Sequence, residues 1–143
     1  MSDAARSTVA TVIPTLRYRN PAAAVGWLCD AFGFEPHLVV PGEAEGTVAH
    51  AQLTFGNGMV MLGPVADTEF GRNMAQPDEL GGRGTQSPYL VVEDIDTHYE
   101  HARAAGAEIV LELAEQDYGG KLYSCRDPEG HLWNFGSYDP WED

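Results

Sequence analysis

Three groups of residues have types and spacings that can do chemistry. The first is His50, Gln52 and Thr54 in "VAHAQLTF". Alternate residues of an extended strand share a face, so these three polar side chains stand together, opposite Ala51, Leu53 and Phe55. An imidazole in such a row can act as a general base, and it can equally be structural. The second group is Ser124, Arg126 and Asn134 in "SCRDPEGHLWNFGSY". An amide in an otherwise apolar strand donates and accepts hydrogen bonds but carries no charge for a metal and shuttles no proton. Asn134 therefore either meets a ligand or satisfies a neighbour, Ser124 or Gln52. The third is His98 and His101, spaced for one helix face and so able to share a metal. A helix with its apolar stripe on a sheet would leave that pair in solvent, which is the expectation.

Other candidates are weaker. His37 has no visible partner, and His131 flanks a turn and is expected to be exposed. No serine stands in a nucleophile-elbow context. "GGRG" at 81–84 lacks the lysine and the strand-to-helix setting of a phosphate loop, and reads as flexible linker.

The elements that must position these residues are written twice. In "RNPAAAVGWLCDAFGFE", Asn20 can cap a helix with Pro21 at its first position, Val25, Leu28, Cys29 and Phe32 form one face, and Gly33 stops it. In "VEDIDTHYEHARAAGAE", Asp94 caps, Ile95, Tyr99 and Ala102 form the stripe, and Gly106 terminates. Pro14 and Pro88, Asn20 and Asp94, Gly33 and Gly106, and Gly58 and Gly130 are offset by 74, 74, 73 and 72 residues. Each half reads strand, helix, strand, strand, strand: "TVIPTLRY", helix, "FEPHLVV", "VAHAQLTF", "MVML", then "SPYLVV", helix, "AEIVLEL", "KLYSCR", "HLWNFGS". The boundaries are a module at 8–63, a linker at 64–86 and a module at 87–138. A linker of that length is either a lid or a tether.

Turn chemistry assigns the faces. "NG" at 57–58 suits a two-residue hairpin loop, which would pair Gly56 with Met59 and Thr54 with Met61. "DPEG" suits a three-residue loop with Gly130 left-handed, pairing Asp127 with His131, Arg126 with Leu132 and Ser124 with Asn134. Tyr123, Cys125, Trp133 and Phe135 then take the helix side, and both halves place polar groups on the open side.

Composition narrows the partners. A chain of 143 residues fits one ordinary domain. With 22 acidic against 8 basic side chains and a net charge of −14, nucleic acid and anionic membranes are poor partners, whereas solubility or the steering of a cation fits. No apolar run reaches membrane-spanning length and no signal peptide is apparent, so a soluble, cytoplasmic protein is expected. Cys29 and Cys125 lie far apart without a CxxC spacing and read as buried small hydrophobes.

"RDPEGHLWNFGSY" following "VVEDID" resembles the vicinal oxygen chelate superfamily of glyoxalases, bleomycin resistance proteins and dioxygenases, and the resemblance runs from Val9 to about Tyr138. It implies an α+β fold of two tandem βαβββ modules forming a cupped mixed sheet around a cavity, helices on the outer face, often in a homodimer. Metal-dependent members take ligands from the first and last strands of each module, positions that fall here on Ile13, Met61, Ser87 and Asn134, with Gln86 replacing Ser87 if the register slips. None suits a metal that favours imidazole and carboxylate. The resemblance thus implies a metal-free, cofactor-free branch that binds a small organic ligand at Thr15, Arg17, His50, Gln52, Thr54, Met59, Met61, Tyr89, Ser124, Arg126 and Asn134. The alternative is a lyase, isomerase or dioxygenase with a shifted metal site. Charge, aromatic rings and methionines suit a cationic or planar ligand, while Arg17 and Arg126 would favour an anion if no acid pairs with them.

Overall fold

The computed structural model describes residues 4–142, which form two compact units, one up to Met74 and one from Ala75 onward. The first unit contains β1 (Thr15–Tyr18), α1 (Pro21–Phe32), β2 (Glu35–Pro41), β3 (Val48–Phe55) and β4 (Gly58–Pro64). Its sheet runs β1-β4-β3-β2, with β1 parallel to β4 and the other pairs antiparallel. The second contains β5 (Tyr89–Val91), α2 (Ile95–Ala104), β6 (Glu108–Glu115), β7 (Lys121–Arg126) and β8 (Leu132–Gly136), in the matching order β5-β8-β7-β6.

Local chemistry sets the helix ends. Asn20 Oδ1 accepts from the Ala23 amide at 3.2 Å, Pro21 occupies the first turn where its missing N–H costs nothing, and Gly33 closes α1 at φ +93°. Asp94 caps α2 through the Thr97 amide and hydroxyl. The buried side of α1 is Pro21, Ala24, Leu28, Ala31 and Phe32, so Val25 and Cys29 flank the expected stripe instead of centring it.

Each core lies between a helix and one sheet face. In the first unit Tyr18, Leu28, Phe32, Ala51, Leu53 and Leu62 are buried, and in the second Ala102, Tyr123, Cys125, Trp133 and Phe135 are fully so. Burying a Leu- or Phe-sized side chain contributes about 1.5–3 kcal/mol, so these faces carry most of each unit's stability. Tyr123 and Phe135 stack at 5.4 Å, and Tyr99 meets Tyr123 edge-on at 4.9 Å.

The first hairpin corrects the sequence expectation. Its loop is Gly56-Asn57, with Gly56 at φ +57°, so Thr54 pairs with Met59 and Gln52 with Met61; Thr54 does not pair with Met61, nor Gly56 with Met59. Glycine takes the positive φ that begins such a turn more cheaply than asparagine does, which draws the loop back by one residue. The second hairpin has the expected register, Ser124 opposite Asn134 and Arg126 opposite Leu132, with Gly130 at φ +92°.

The segment between the modules is structured. It holds two 3-10 turns, Gly71–Asn73 and Pro77–Leu80. Gln76 and Pro77 are buried in the second unit, Pro77 against Gly130, and Gly81 ends the second turn at φ +69°. The expected flexible "GGRG" is therefore anchored at its start, because Gly82 offers its carbonyl to Arg126 Nε at 3.0 Å.

Candidate functional site

The strand registers decide which candidates stand together. In the first unit Thr15 is beside Met61 and Arg17 beside Gly63, Met61 is opposite Gln52, and Met59 is opposite Thr54. His50 follows on the same side of β3. All seven sequence-selected side chains of this unit thus share the sheet face turned away from α1. Gln52 Nε2 and His50 Nε2 lie 3.2 Å apart. The amide donates when the imidazole carries its proton on Nδ1, and that bond occupies the lone pair a general base would use.

In the second unit Tyr89 is beside Asn134, and Asn134 is opposite Ser124. The amide that stood out in the sequence is fully engaged. Ser124 donates its hydroxyl to Asn134 Oδ1 at 2.6 Å, while Asn134 Nδ2 donates to Ser87 Oγ at 2.7 Å and to the Pro88 carbonyl at 3.1 Å. Gln52 is not among these partners. Arg126 is paired as well, with Glu108 at 3.1 Å and with the Gly82 carbonyl, so its charge is partly neutralised.

Two glycines shape these faces, and spacing could have flagged them, since Gly63 and Gly136 occupy matching places on β4 and β8. A β-carbon on Gly136 would sit 2.7 Å from Tyr89 Cε1, and one on Gly63 would sit 2.7 Å from Arg17 Nη1. Tyr89 therefore lies flat across the strand and donates its hydroxyl to the Tyr138 carbonyl at 2.6 Å. Arg17 lies across Gly63 with its guanidinium 4.7 Å from the Phe70 ring centre. We expect Gly136→Ala to displace Tyr89 and cost about 1–3 kcal/mol, as overpacking does. Gly63→Ala should cost less, because the group it meets is the flexible end of an arginine. Urea denaturation of both variants measures the difference, and equal costs would contradict it.

The histidine pair on α2 departs from expectation. His98 is half-buried and partnered, not a free surface imidazole: its Nδ1 is 2.6 Å from the Tyr123 hydroxyl and its ring is 4.5 Å from Phe135. His101 is exposed, so the two stand in different environments. His131 is half-buried, not exposed. Burial pushes the Tyr123 phenol well above its ordinary value and the Cys125 thiol up to about 12, with Asp127 adding to the latter. Cys29 is only partly buried, and desolvation followed by Asp30 and Glu35 raises its thiol.

Sequence reasoning placed Asp127 only as a turn residue. It is 4% exposed and accepts hydrogen bonds from the Glu129 and His131 amides at 3.0 and 3.1 Å and from the Trp133 indole at 3.0 Å. The "DPEGHLW" spacing carried the signal, since an aspartate opening a turn commonly bonds the backbone beyond it.

The family metal positions can be tested on their donors. Ser87 and Asn134 meet, but as a neutral hydroxyl and amide bonded to each other; Ile13 and Met61 offer hydrocarbon and a thioether. This set does not fit a divalent metal held by imidazole and carboxylate. Among the described residues there is also no group of three or more His, Cys, Asp or Glu side chains placed to hold an ion.

Two units of one strand order define a class of fold, and comparison with known proteins agrees with it. The sequence model of the Glyoxalase/Bleomycin resistance protein/Dioxygenase superfamily matches residues 9–135, and the chain belongs to that superfamily. It is similar to an uncharacterized protein of Mycobacterium bovis, 32% identical over 123 residues that cover 86% of this chain and 80% of the relative. It is also similar to the crystal structure of TioX from Micromonospora sp. ML1, with a TM-score of 0.69, 34% identity, and coverage of 87% of this chain and 95% of that one. A 4-hydroxyphenylpyruvate dioxygenase of Caenorhabditis briggsae is 31% identical over 101 residues, which span 68% of this chain but 25% of the dioxygenase. The fold is shared with a fosfomycin resistance protein, FosX, from Listeria monocytogenes, solved with Mn(II) and a dihydroxypropylphosphonic acid: TM-score 0.65 at 15% identity, covering 90% of this chain and 89% of that one.

Proposed function

We propose that this protein is a metal-free binder of a small organic molecule, which it sequesters or carries on the sheet faces turned away from its helices. The observation that carries this reading is Asn134. At a position where a metal-dependent member would place an anionic ligand, the amide uses both of its ends on Ser124, Ser87 and Pro88. The face it belongs to combines tyrosine and hydroxyl groups, and the matching face of the first unit carries methionines, types that suit a planar or apolar body held by a few polar contacts. The pairing of Arg126 with Glu108 removes the main argument for an anionic ligand and leaves the −14 charge favouring a cationic one. We read the assembly as a homodimer, a reading supported by the exposed edge strand β2 with Leu38, Val39 and Val40 in solvent. Among the described residues no helix is long and apolar enough to cross a membrane.

An enzymatic alternative, a lyase, isomerase or dioxygenase with a shifted site, draws on the match to the dioxygenase segment. It would need His50 released from Gln52. The expected result of elemental analysis, after purification with zinc, nickel, iron and manganese supplied in turn, is no stoichiometric metal. A stoichiometric metal that disappears in Asn134→Leu overturns the binding reading in favour of the enzyme.

A further inference from the structure

An aromatic patch on the second unit extends outward from Tyr89. Tyr118, in the turn between β6 and β7, meets Tyr138 edge-on with ring centres 5.1 Å apart. Tyr89 joins them through its hydroxyl on the Tyr138 carbonyl. The rings remain open to solvent, with Tyr118 54% exposed, and Trp141 beyond them is almost wholly so.

The patch is built by backbone, not by chance contact of mobile side chains. Gln116 and Gly120 close the turn through a 2.9 Å bond, and Gly119 and Gly120 adopt φ +111° and +71°. A β-carbon on Gly120 would meet Ser137 Oγ at 2.7 Å and the Tyr138 amide at 2.8 Å, so only glycine lets the turn pack against the strand end and brings Tyr118 onto Tyr138. Asp139 follows Tyr138 directly and lies close enough to Tyr89 that its charge contributes to raising that phenol, after burial and Tyr118. One Asp139 oxygen accepts from the Trp141 amide at 2.9 Å, which fixes the carboxylate. The single lysine of the sequence is directed elsewhere: Lys121 Nζ is on Asp96 of α2 at 2.9 Å.

We infer that Tyr118, Tyr138, Tyr89 and Asp139 bind the ammonium group of a small organic cation. Ring faces attract a cation through their quadrupoles, a neighbouring carboxylate adds an ionic contact, and the −14 charge concentrates cations around the surface. Electrostatic complementarity selects a cation over a neutral apolar group for this patch. The inference deepens the proposed function and rests on it, because Tyr89 belongs to both surfaces.

The test is amide NMR of the full chain titrated with choline, with the uncharged carbon analogue of choline and, separately, with indole. Choline should shift Tyr118, Tyr138 and Asp139, and its neutral analogue should bind more weakly. Tyr118→Leu should weaken choline about two- to fivefold, and Tyr118→Phe, which keeps the ring, should not. Asp139→Asn should weaken it by a similar factor of about two to five, and more at low salt than at high. Equal binding of the neutral analogue, choline shifts unchanged in Tyr118→Leu, or no choline binding at Tyr118 overturns the inference. Indole reports the sheet face separately through Ser124 and Asn134, so the cation site and the binding-protein reading can fail independently.

Discussion

Raising the pH from 8 to 11 is expected to remove about 4 kcal/mol of folding stability. Cys125 and Tyr123 are buried on the helix side of the second sheet, and each holds its proton more tightly when folded than its ordinary values of 9.0 and 10.0 would allow. The unfolded chain therefore loses these protons first. Both groups contribute their full stability below about pH 9, and the contribution falls as the pH rises from there toward the folded thiol value of about 12. Each unit of separation is worth about 1.4 kcal/mol, so the thiol, with the phenol joining above pH 10, accounts for the expected loss at pH 11. Lys121, raised by its bond to Asp96, acts with the same sign, but it is too exposed to matter much. Urea denaturation followed by tryptophan fluorescence, with a reductant present, measures the curve. Cys125→Val should flatten most of it between pH 9 and 10, where the less buried Cys29 adds only a smaller slope of the same sign, and a wild-type curve flat to pH 11 would contradict the assignment.

The second large effect is expected at Asp127. Removing its carboxylate in Asp127→Ala strands the indole N–H of Trp133, which is fully buried, and frees two turn amides that water can partly recover. Leaving one buried donor unsatisfied costs about 1–3 kcal/mol and losing the turn bonds adds to it, so we expect a loss of about 3 kcal/mol. Asp127→Asn should fall between this variant and the wild type. Its amide oxygen can still accept from Glu129 and His131, but its NH2 then faces another donor at Trp133. A thermal or urea melt ranks the three proteins. A loss below about 1 kcal/mol in the alanine variant would mean that water replaces the carboxylate in full. The hairpin carries Ser124 and Asn134, so the same substitution should loosen the amide network of the proposed binding face.

Repetition and alternation were legible in the chain itself. Asn20 and Asp94 are short polar side chains before an apolar stripe, Gly33 is a residue that tolerates a left-handed backbone, and their recurrence about 74 residues apart marks two copies of one unit. The faces of β3 and β4 were also readable, even though the Gly56-Asn57 loop was placed one residue too late. Moving a two-residue loop by one position shifts the pairing by two residues, and side chains on a strand alternate with a period of two. Thr54, Met59 and Met61 therefore stay on one face in either register.

Tertiary structure decided what each side chain does there. His98 looked solvated beside His101, because nothing in helical spacing reveals that Tyr123, 25 residues later, presents a hydroxyl beneath it. Arg126 looked able to receive an anion until the edge strand β6 brought Glu108 to it and the segment before β5 brought the Gly82 carbonyl. Asn134 had three possible uses in the sequence and finds its partners in Ser124, on the strand paired across the hairpin, and in Ser87 and Pro88, which lead into β5. The physical reason is common to all of these. Local sequence sets backbone conformation and the face a residue occupies, through short-range sterics and hydrogen bonding. Partners for buried polar groups come from strands distant in sequence, and strand pairing and packing bring them together only once the sheet has formed.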